Sequence, residues 1–456
     1  MAGSAYRAAR TAALAVLRHL PWLRVKVRKA YWAWRARRYR RQAALHALEP
    51  RTVLFESFGG RSCACSPRAL FEAMCRDPRF DGWEFVWSFR QGADNAVLAA
   101  SPLLAQRACT VERGTAAYEA ACARAQYWVV NNRMAEWISP RDGQVYVQCW
   151  HGTPLKRLGL DVSAGSAGAL NTAPELAWRF AIDAQKWSWL VSPSAYTSEK
   201  LTSAFGVSAS AGLRVAEVGY PRNDSLVRML ASPDAAGLAR AMRLRRGLPA
   251  HKKLLLYAPT WRDTDYRAGV GYVAGDQLLD LERLREALGD EWCVMVRAHY
   301  YIVGGLATEG CEGFAYDVSA VQDINELYAM ADVLVTDYSS TLFDYANTGR
   351  PVIYHWHDLD RYRDDLRGFY FDPHELPGPK CSNTDEVAQA VLELDGWQAV
   401  HGKALQELRA RFCAQDDGHA SERVVALVFR EARDETTSEA GVEAHDETTS
   451  EAHDAD

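Results

Sequence analysis

The sequence predicts an α/β protein made of two parallel sheets in succession. Three observations carry this: short apolar runs alternate with amphipathic stretches, the runs fall into two sets, and the chain is long enough for two cores. With 456 residues, 48% of them hydrophobic, it has the apolar mass for two or three domains. The first set of runs lies at 53–55, 85–87, 127–130, 145–147 and 189–191, with helix-like segments such as 114–124 and 194–205 between them. Parallel strands need a covering helix on each return, so this alternation reads as repeated strand–helix–strand units. The second set, at 254–257, 293–296, 333–335 and 352–354, is separated by helix-like segments at 278–288, 324–331 and 341–346. Two Rossmann-like halves follow, over 51–215 and 216–433, with ligands expected in the crevice at the carboxyl ends of the strands.

The two ends differ in character from this centre. Residues 1–50 form a basic arm in which no acidic residue precedes Glu49, and Arg and Lys are interleaved with Leu14, Leu17, Leu20, Trp22, Leu23, Tyr31, Trp32, Trp34 and Tyr39. Cations gain about 1 kcal/mol each at an anionic membrane surface, and Trp and Tyr settle at headgroup depth. The arm therefore reads as membrane-associating and helical, divided at Pro21, and residues 1–45 read as dispensable for folding. A basic helix packed on its own domain, or an arm for nucleic acid, is the other reading of the same residues. The tail from 434 to 456 repeats Asp434-Glu435-Thr436-Thr437-Ser438-Glu439-Ala440 at 446–452. It is acidic and free of aromatic residues, which predicts disorder. The net charge of −5 averages over these opposite ends.

The ten cysteines show no CxxC pair and no zinc-ribbon spacing, as expected of a reduced, cytosolic compartment. No window reaches the run of about 20 apolar residues that a spanning helix needs. The apolar patch at 12–17 is followed by Arg18, Arg24, Lys26, Arg28 and Lys29 where a signal peptide would need small residues.

Chemistry is expected just beyond the strand ends. Gln148-Cys149-Trp150-His151-Gly152-Thr153-Pro154-Leu155-Lys156-Arg157 follows the run at 145–147 and sets a histidine beside a glycine, a hydroxyl and two cations. Imidazole, with an ordinary pKa of about 6.5, can accept a proton at neutral pH. The residues alone leave His151 two roles, a base and a buried structural ring. Thr336-Asp337-Tyr338-Ser339-Ser340-Thr341 ends a strand and opens a helix, where backbone N–H groups and hydroxyls suit an anion. Ordinary N-capping accounts for one of these serines. Gly219-Tyr220-Pro221-Arg222-Asn223-Asp224, Ala258-Pro259-Thr260-Trp261-Arg262-Asp263 and Arg297-Ala298-His299 also follow strand-like runs. Each alone fits a solvated surface cation; together they suggest a nucleotide-diphosphate site. The chain lacks a P-loop, HExxH and GxSxG, and Gly269, Gly271 and Gly275 are misplaced for GxGxxG. His355, His357 and Asp358 have no further ligand nearby in sequence, so no motif demands a metal or cofactor, and metal dependence stays open.

At these motifs the sequence resembles the CDP-glycerol glycerophosphotransferase family of teichoic acid primases and polymerases. The matching segments are WHGTPLK from Trp150 to Lys156, GYPRND from Gly219, APTWR from Ala258, Arg297 with His299, TDYSS from Thr336 with Phe343-Asp344-Tyr345, and then Arg350-Pro351, 362–372, 377–379 and 417–421. Cys149 stands where the family commonly has threonine. The resemblance implies a GT-B-like pair of domains facing a cleft, placed peripherally on the cytoplasmic face of the membrane. It implies His151 as general base and His299 as assistant at the donor phosphates. Donor contacts would fall on Gly152, Thr153, Pro154, Leu155, Arg222, Thr260, Trp261, Arg297, Ser339, Ser340 and Asp344. The implied partners are CDP-glycerol or CDP-ribitol, a prenyl-diphosphate-linked saccharide acceptor and an anionic membrane surface, with no nucleic acid. A primase fits slightly better than a polymerase. A nucleotide-sugar glycosyltransferase and a catalytically idle membrane scaffold are the alternatives.

Overall fold

A computed structural model describes residues 21–93, 101–162, 173–207, 212–260, 266–267, 271–272, 278–297, 308, 310–363 and 368–429. Two all-parallel sheets carry it, as the alternating pattern requires. The first has the order β3-β2-β1-β4-β5-β6-β7, from β1 (Glu49–Glu56), β2 (Glu84–Phe89), β3 (Cys109–Glu112), β4 (Ala125–Val130), β5 (Val145–Gln148), β6 (Trp189–Ser192) and β7 (Arg214–Glu217). The second has the order β12-β11-β8-β13-β14-β15, from β8 (Lys253–Ala258), β11 (Trp292–Val296), β12 (Ala315–Asp317), β13 (Val333–Thr336), β14 (Val352–His355) and β15 (Lys380–Cys381). Between them in sequence lies a short antiparallel hairpin of β9 (Tyr266–Arg267) and β10 (Gly271–Tyr272). Each large sheet reverses strand order beside its first strand, between β1 and β4 and between β8 and β13. Those are the positions where an open α/β sheet binds ligands.

The central strands are apolar on both faces because helices cover both. Val53, Leu54 and Phe55 in β1 are 0% exposed, as are Leu254, Leu255 and Leu256 in β8. The nine runs read from sequence are all strands, and the helix-like segments hold α-helices. Six strands go unread in the sequence, the hairpin pair β9 and β10 and four strands of the large sheets, β3, β7, β12 and β15, which carry few apolar residues. β3, β7, β12 and β15 are also the outer strands of their sheets, with one side unpaired, so little burial marks them.

Helix α1 (Pro21–Ala43) is the described part of the basic arm; residues 1–20 and the tail from 430 lie outside the described residues. Pro21 opens this helix, where a missing N–H costs nothing. Its last turns are docked: Tyr39 and Ala43 are buried in the first half's core, and Arg35 and Arg38 pair with Glu119 at 2.5 and 3.2 Å. Trp32 stacks on Trp178 at 5.3 Å. The expectation that residues 1–45 are a separable arm is corrected: the helix is a layer of the first half. No helix among the described residues is long and apolar enough to cross a membrane.

The chain ends by crossing back. Helix α2 (Cys65–Arg76) covers the first sheet, and α3 (Ala420–Val428), expected in the second half, packs on it with Val424, Val425, Val428 and Phe429 in the first core. An apolar stripe on α3 has to be covered, and the first sheet covers it. Asp224 fixes the return: its carboxylate accepts the N–H groups of Ala420 and Ser421 at 2.9 and 2.7 Å. Replacing a helix-capping carboxylate costs about 1–2 kcal/mol. Asp224→Ala is therefore expected to lower the melting temperature by several degrees in calorimetry, and an unchanged melting curve would show that the crossing helix is held by its apolar face alone.

Candidate functional site

His151 stands three residues beyond β5, the neighbour of the strand β4 at which the first sheet reverses its order. Its Nδ1 lies 2.6 Å from the carbonyl oxygen of Asn131, the residue that follows β4. A carbonyl only accepts, so Nδ1 carries the proton and Nε2 keeps its lone pair. The Trp150 ring lies over the imidazole at 4.2 Å, and Phe58 is 5.9 Å away. Burial lowers the His151 pKa from 6.5 to about 4; the Asn131 hydrogen bond opposes this, and the Arg222 and Arg133 charges add to it. The ring is thus a neutral base at pH 7.

The turn before it is strained. Trp150 has φ of 45°, in the left-handed region that bulky residues avoid. Gln148 holds it there: its Oε1 accepts the Trp150 N–H at 2.9 Å, while its Nε2 donates to the Asn132 carbonyl at 3.2 Å. One amide thereby ties the loop after β4 to the loop after β5.

Beyond His151 the chain reaches into the second half. Gly152 lies so near Ser340 that a Cβ there would stand 2.5 Å from the serine Oγ. Leu155 is buried in the second core, Tyr370 N–H donates to its carbonyl at 3.0 Å, and Lys156 forms an antiparallel bridge with Phe369. The Pro154 carbonyl accepts the Tyr196 hydroxyl at 2.8 Å, and Thr153 is buried. Of the four residues expected to contact a donor, Gly152 is at the junction with Ser340, whereas Leu155 fastens the two halves and Pro154 is bonded within the first.

On the second sheet, Thr260 follows β8 and Asp337 follows β13, across the reversal point; the Thr260 N–H donates to both Asp337 oxygens at 3.0 Å. Ser339 accepts the Thr341 N–H at 3.3 Å, and so supplies the capping bond. Ser340 makes no capping bond, and its hydroxyl has no hydrogen bond among the described residues. Arg297, at the end of β11, sends Nη1 to the Val321 and Val318 carbonyls at 2.8 and 3.5 Å. No carboxylate pairs with it among the described residues, and burial lowers its proton affinity. A largely desolvated guanidinium without an ion pair and a hydroxyl without a hydrogen bond, both beyond strand ends of the same sheet, are each suited to an anion. His299 and Trp261 lie outside the described residues.

Arg222 and Asp344 are committed to each other. The guanidinium donates through Nη2 at 2.8 Å and Nε at 3.2 Å, and it lies 3.8 Å over the Tyr220 ring. Asn223 donates to Asp344 at 3.1 Å and to Asp416 at 2.7 Å. The phosphate-binding role expected of Arg222 is thereby reduced to its remaining edge, where Nη1 lies 3.9 Å from Cys65 Sγ. Sequence reading missed Asn131, Asn132, Arg133 and Gln148. Their signal was position: an Asn-Asn-Arg run directly after the predicted strand at 127–130, and a glutamine ending the strand before His151.

Comparison with known proteins supplies the context. Residues 38–430 match the family described as CDP-Glycerol:Poly(glycerophosphate) glycerophosphotransferase. The teichoic acid poly(glycerol phosphate) polymerase of Bacillus subtilis (strain 168) is 37% identical over 381 residues, 83% of this chain and 49% of that protein. The teichoic acid glycerol-phosphate transferase of Staphylococcus aureus (strain NCTC 8325 / PS 47) is 34% identical over 379 residues, 83% of this chain and 92% of that one. A structure of the wall teichoic acid polymerase TagF superposes with a TM-score of 0.75 at 34% identity, covering 85% of this chain and 91% of that one. The chain spans about half the length of two of its curated relatives, 49% and 52%.

The depressed His151 pKa has a sign that can be checked. The unfolded chain protonates at about 6.5 and the folded one at about 4, so the stability contribution is full above 6.5 and declines as pH falls between those values. In the ligand-free protein, nitrogen NMR is expected to show His151 as the neutral Nδ1–H tautomer down to about pH 4 to 5. A midpoint near 6.5 would contradict the burial argument.

Proposed function

The chain belongs to the CDP-glycerol glycerophosphotransferase family, and on that premise we propose that it transfers glycerol phosphate from CDP-glycerol to a lipid-linked acceptor in teichoic acid synthesis. The observation that carries the reading is the neutral His151, with its free Nε2, set at the junction with Ser340 of the other half. An acceptor hydroxyl attacks the phosphorus that bears the glycerol. A new P–O bond forms, the bond to the bridging oxygen of the diphosphate breaks, and CMP leaves with that oxygen and the electron pair. The hydroxyl proton passes to His151 Nε2. Negative charge near the ring raises its proton affinity, so the low value of the empty site rises when the donor binds.

Arg297, the Ser340 hydroxyl and the backbone around Ser339 and Thr341 are the groups we assign to the donor phosphates, together with His299. Their work is to hold charge in a fixed arrangement, the main contribution a protein makes to phosphoryl transfer. Helix Thr341–Ala346 has only six residues, so local N–H groups and hydroxyls matter more than a helix dipole. Trp261 is assigned to the cytidine side. Glycerol is preferred to ribitol as the polyol because the relatives aligned over most of this chain are named for glycerol phosphate. No cofactor enters the scheme; magnesium dependence is settled by assays with and without chelator.

Membrane association is assigned to α1. On it Val27, Tyr31 and Trp34 are 47%, 46% and 57% exposed at helical spacing, and Trp22 is 60% exposed. Exposed Lys26, Lys29, Arg37, Arg38, Arg40 and Arg41 surround them. Aromatic side chains among cations on an otherwise docked helix suit the cytoplasmic, anionic face of a membrane.

Three outcomes are expected. His151→Ala should retain CDP-glycerol binding in calorimetry while kcat falls about 10²- to 10⁴-fold, the range for a lost general base; a near-normal rate of CMP release would remove His151 from the chemistry. Replacing Trp22, Tyr31 and Trp34 by serine should release the protein from vesicles of anionic lipid in a sedimentation assay without shifting its melting curve. Deleting residues 1–45 should instead unfold part of the first half, because Tyr39 and Ala43 belong to its core.

A further inference from the structure

Two polar side chains beside His151 have no part in the scheme so far. Asn131 is 0% exposed at the carboxyl end of β4. Its Oδ1 accepts the Phe58 N–H at 2.7 Å, which fixes the amide orientation and leaves Nδ2 as a donor of two protons. That nitrogen is buried without a hydrogen-bond partner among the described residues. Buried donors are nearly always met, so an unmet one adjoining a base calls for a partner.

Two residues on, the Arg133 guanidinium lies 4.5 Å over the Phe180 ring. Among the described residues it makes neither an ion pair nor a side-chain hydrogen bond. Neighbouring carboxylates are engaged elsewhere: Glu136 pairs with Arg179 at 2.6 Å, and Asp183 receives the Tyr146 hydroxyl at 3.2 Å and the Trp187 indole N–H at 3.1 Å. Burial lowers the proton affinity of Arg133, with the Arg179 charge adding to it. Phe180 meets Trp150 edge-on at 6.3 Å, and Trp150 lies on His151. The cation is therefore separated from the base by two aromatic rings, Phe180 and Trp150.

We propose that Asn131 and Arg133 form an anion subsite of the first half, which holds a phosphate of the acceptor and so positions its attacking hydroxyl at His151. This rests on the transfer reading above and deepens it. The groups assigned to the donor phosphates belong to the second half, so an anion site on this side of His151 serves another substrate. A guanidinium braced on a ring keeps its planar fork free for two phosphate oxygens, and a neutral amide adds a donor without further charge. The shared chemistry is a phosphate ester. Its source is either a glycerol phosphate at the acceptor's growing end or the diphosphate of the lipid carrier.

The test compares Arg133→Gln, Arg133→Met and Arg133→Lys with the unaltered protein at saturating CDP-glycerol. Three acceptors are used: an octyl disaccharide ending in glycerol phosphate, an octyl-diphosphate disaccharide, and the uncharged octyl disaccharide. The Gln and Met variants should raise KM about 10- to 100-fold for one charged acceptor, the range of a charge-assisted bond. KM for CDP-glycerol should stay within about twofold, and Lys should restore part of the loss. The charged acceptor that is affected identifies the phosphate. Equal losses with the uncharged acceptor, or a matching rise in KM for CDP-glycerol, would overturn the subsite. If the unaltered protein released no CMP at all, the transfer reading would fail by itself. Phosphorus NMR titration with sn-glycerol 3-phosphate then decides the subsite, since binding that Arg133→Gln and Arg133→Met leave unchanged excludes it. Met preserves the packing on Phe180 should Gln disturb folding.

Discussion

Gly152 and Ser340 stand closer than any side chain would permit, and the rest of the site depends on that approach. A methyl group on Gly152 would overlap the Ser340 hydroxyl, so any larger residue must push the two halves apart or displace the serine. The approach joins the loop after β5, next to the reversal of the first sheet, to the loop after β13, at the reversal of the second. Neither sheet makes the site alone: the first supplies the imidazole, and the second supplies the unused hydroxyl and Arg297. The strained Trp150 is part of the same arrangement. Its left-handed backbone turns the chain sharply out of β5, and the Gln148 amide offsets part of the strain.

The halves are fastened by the crossing of Leu155 and Lys156 against 369–370 and by the return of α3 to the first core, and a buried polar network inside the second half fixes the ends of both passages. Arg222 with Asp344, Asn223 between two carboxylates, and Asp416 accepting from Tyr220 N–H at 2.7 Å and Asn347 at 3.1 Å are linked. Burial raises the Asp416 pKa to about 6 even against those hydrogen bonds. Its ionised form is therefore disfavoured in the folded protein, and stability falls as pH rises from about 3.8 to 6. That trend opposes the His151 contribution over the same pH range. A network of this kind is weak as a source of net stability. It is specific, because removing one member leaves a buried charge unmet.

The fold was legible in the sequence where burial was symmetrical. Central strands such as Leu254-Leu255-Leu256-Tyr257 are covered on both faces and read as unbroken apolar runs, whereas Arg214-Val215-Ala216-Glu217 at a sheet edge does not. The destination of α3 was not legible, since an apolar stripe says that a helix is covered but not by which sheet. The motif segments lie just beyond strand ends, but the sequence did not say which of their side chains are already paired within the protein. Within one stretch, His151 and Gly152 are at the gap while Pro154 and Leu155 are structural; in another, Arg222, Asn223 and Asp224 are all spent on protein partners. Residue type announced a cation or a carboxylate, and only three-dimensional pairing shows which are already neutralised. The converse holds for Asn131 and Arg133. They belong to no expected contact set, and they become conspicuous only because nothing among the described residues satisfies them.

An imidazole held neutral between cations has a consequence for the order of events. With the site empty, Arg222 and Arg133 both oppose protonation of His151, so a proton arriving early would be unfavourable. A donor diphosphate adds negative charge beside the ring and reverses part of that field. On the proposed scheme, proton affinity therefore grows only when phosphate is in place, and grows further as charge gathers on the transferred group. Water entering an empty cleft meets a poor base. Burial depresses the pKa at rest and Arg133 adds to it; on the proposed scheme Arg133 then serves as a counter-ion, while Arg222 stays bound to Asp344.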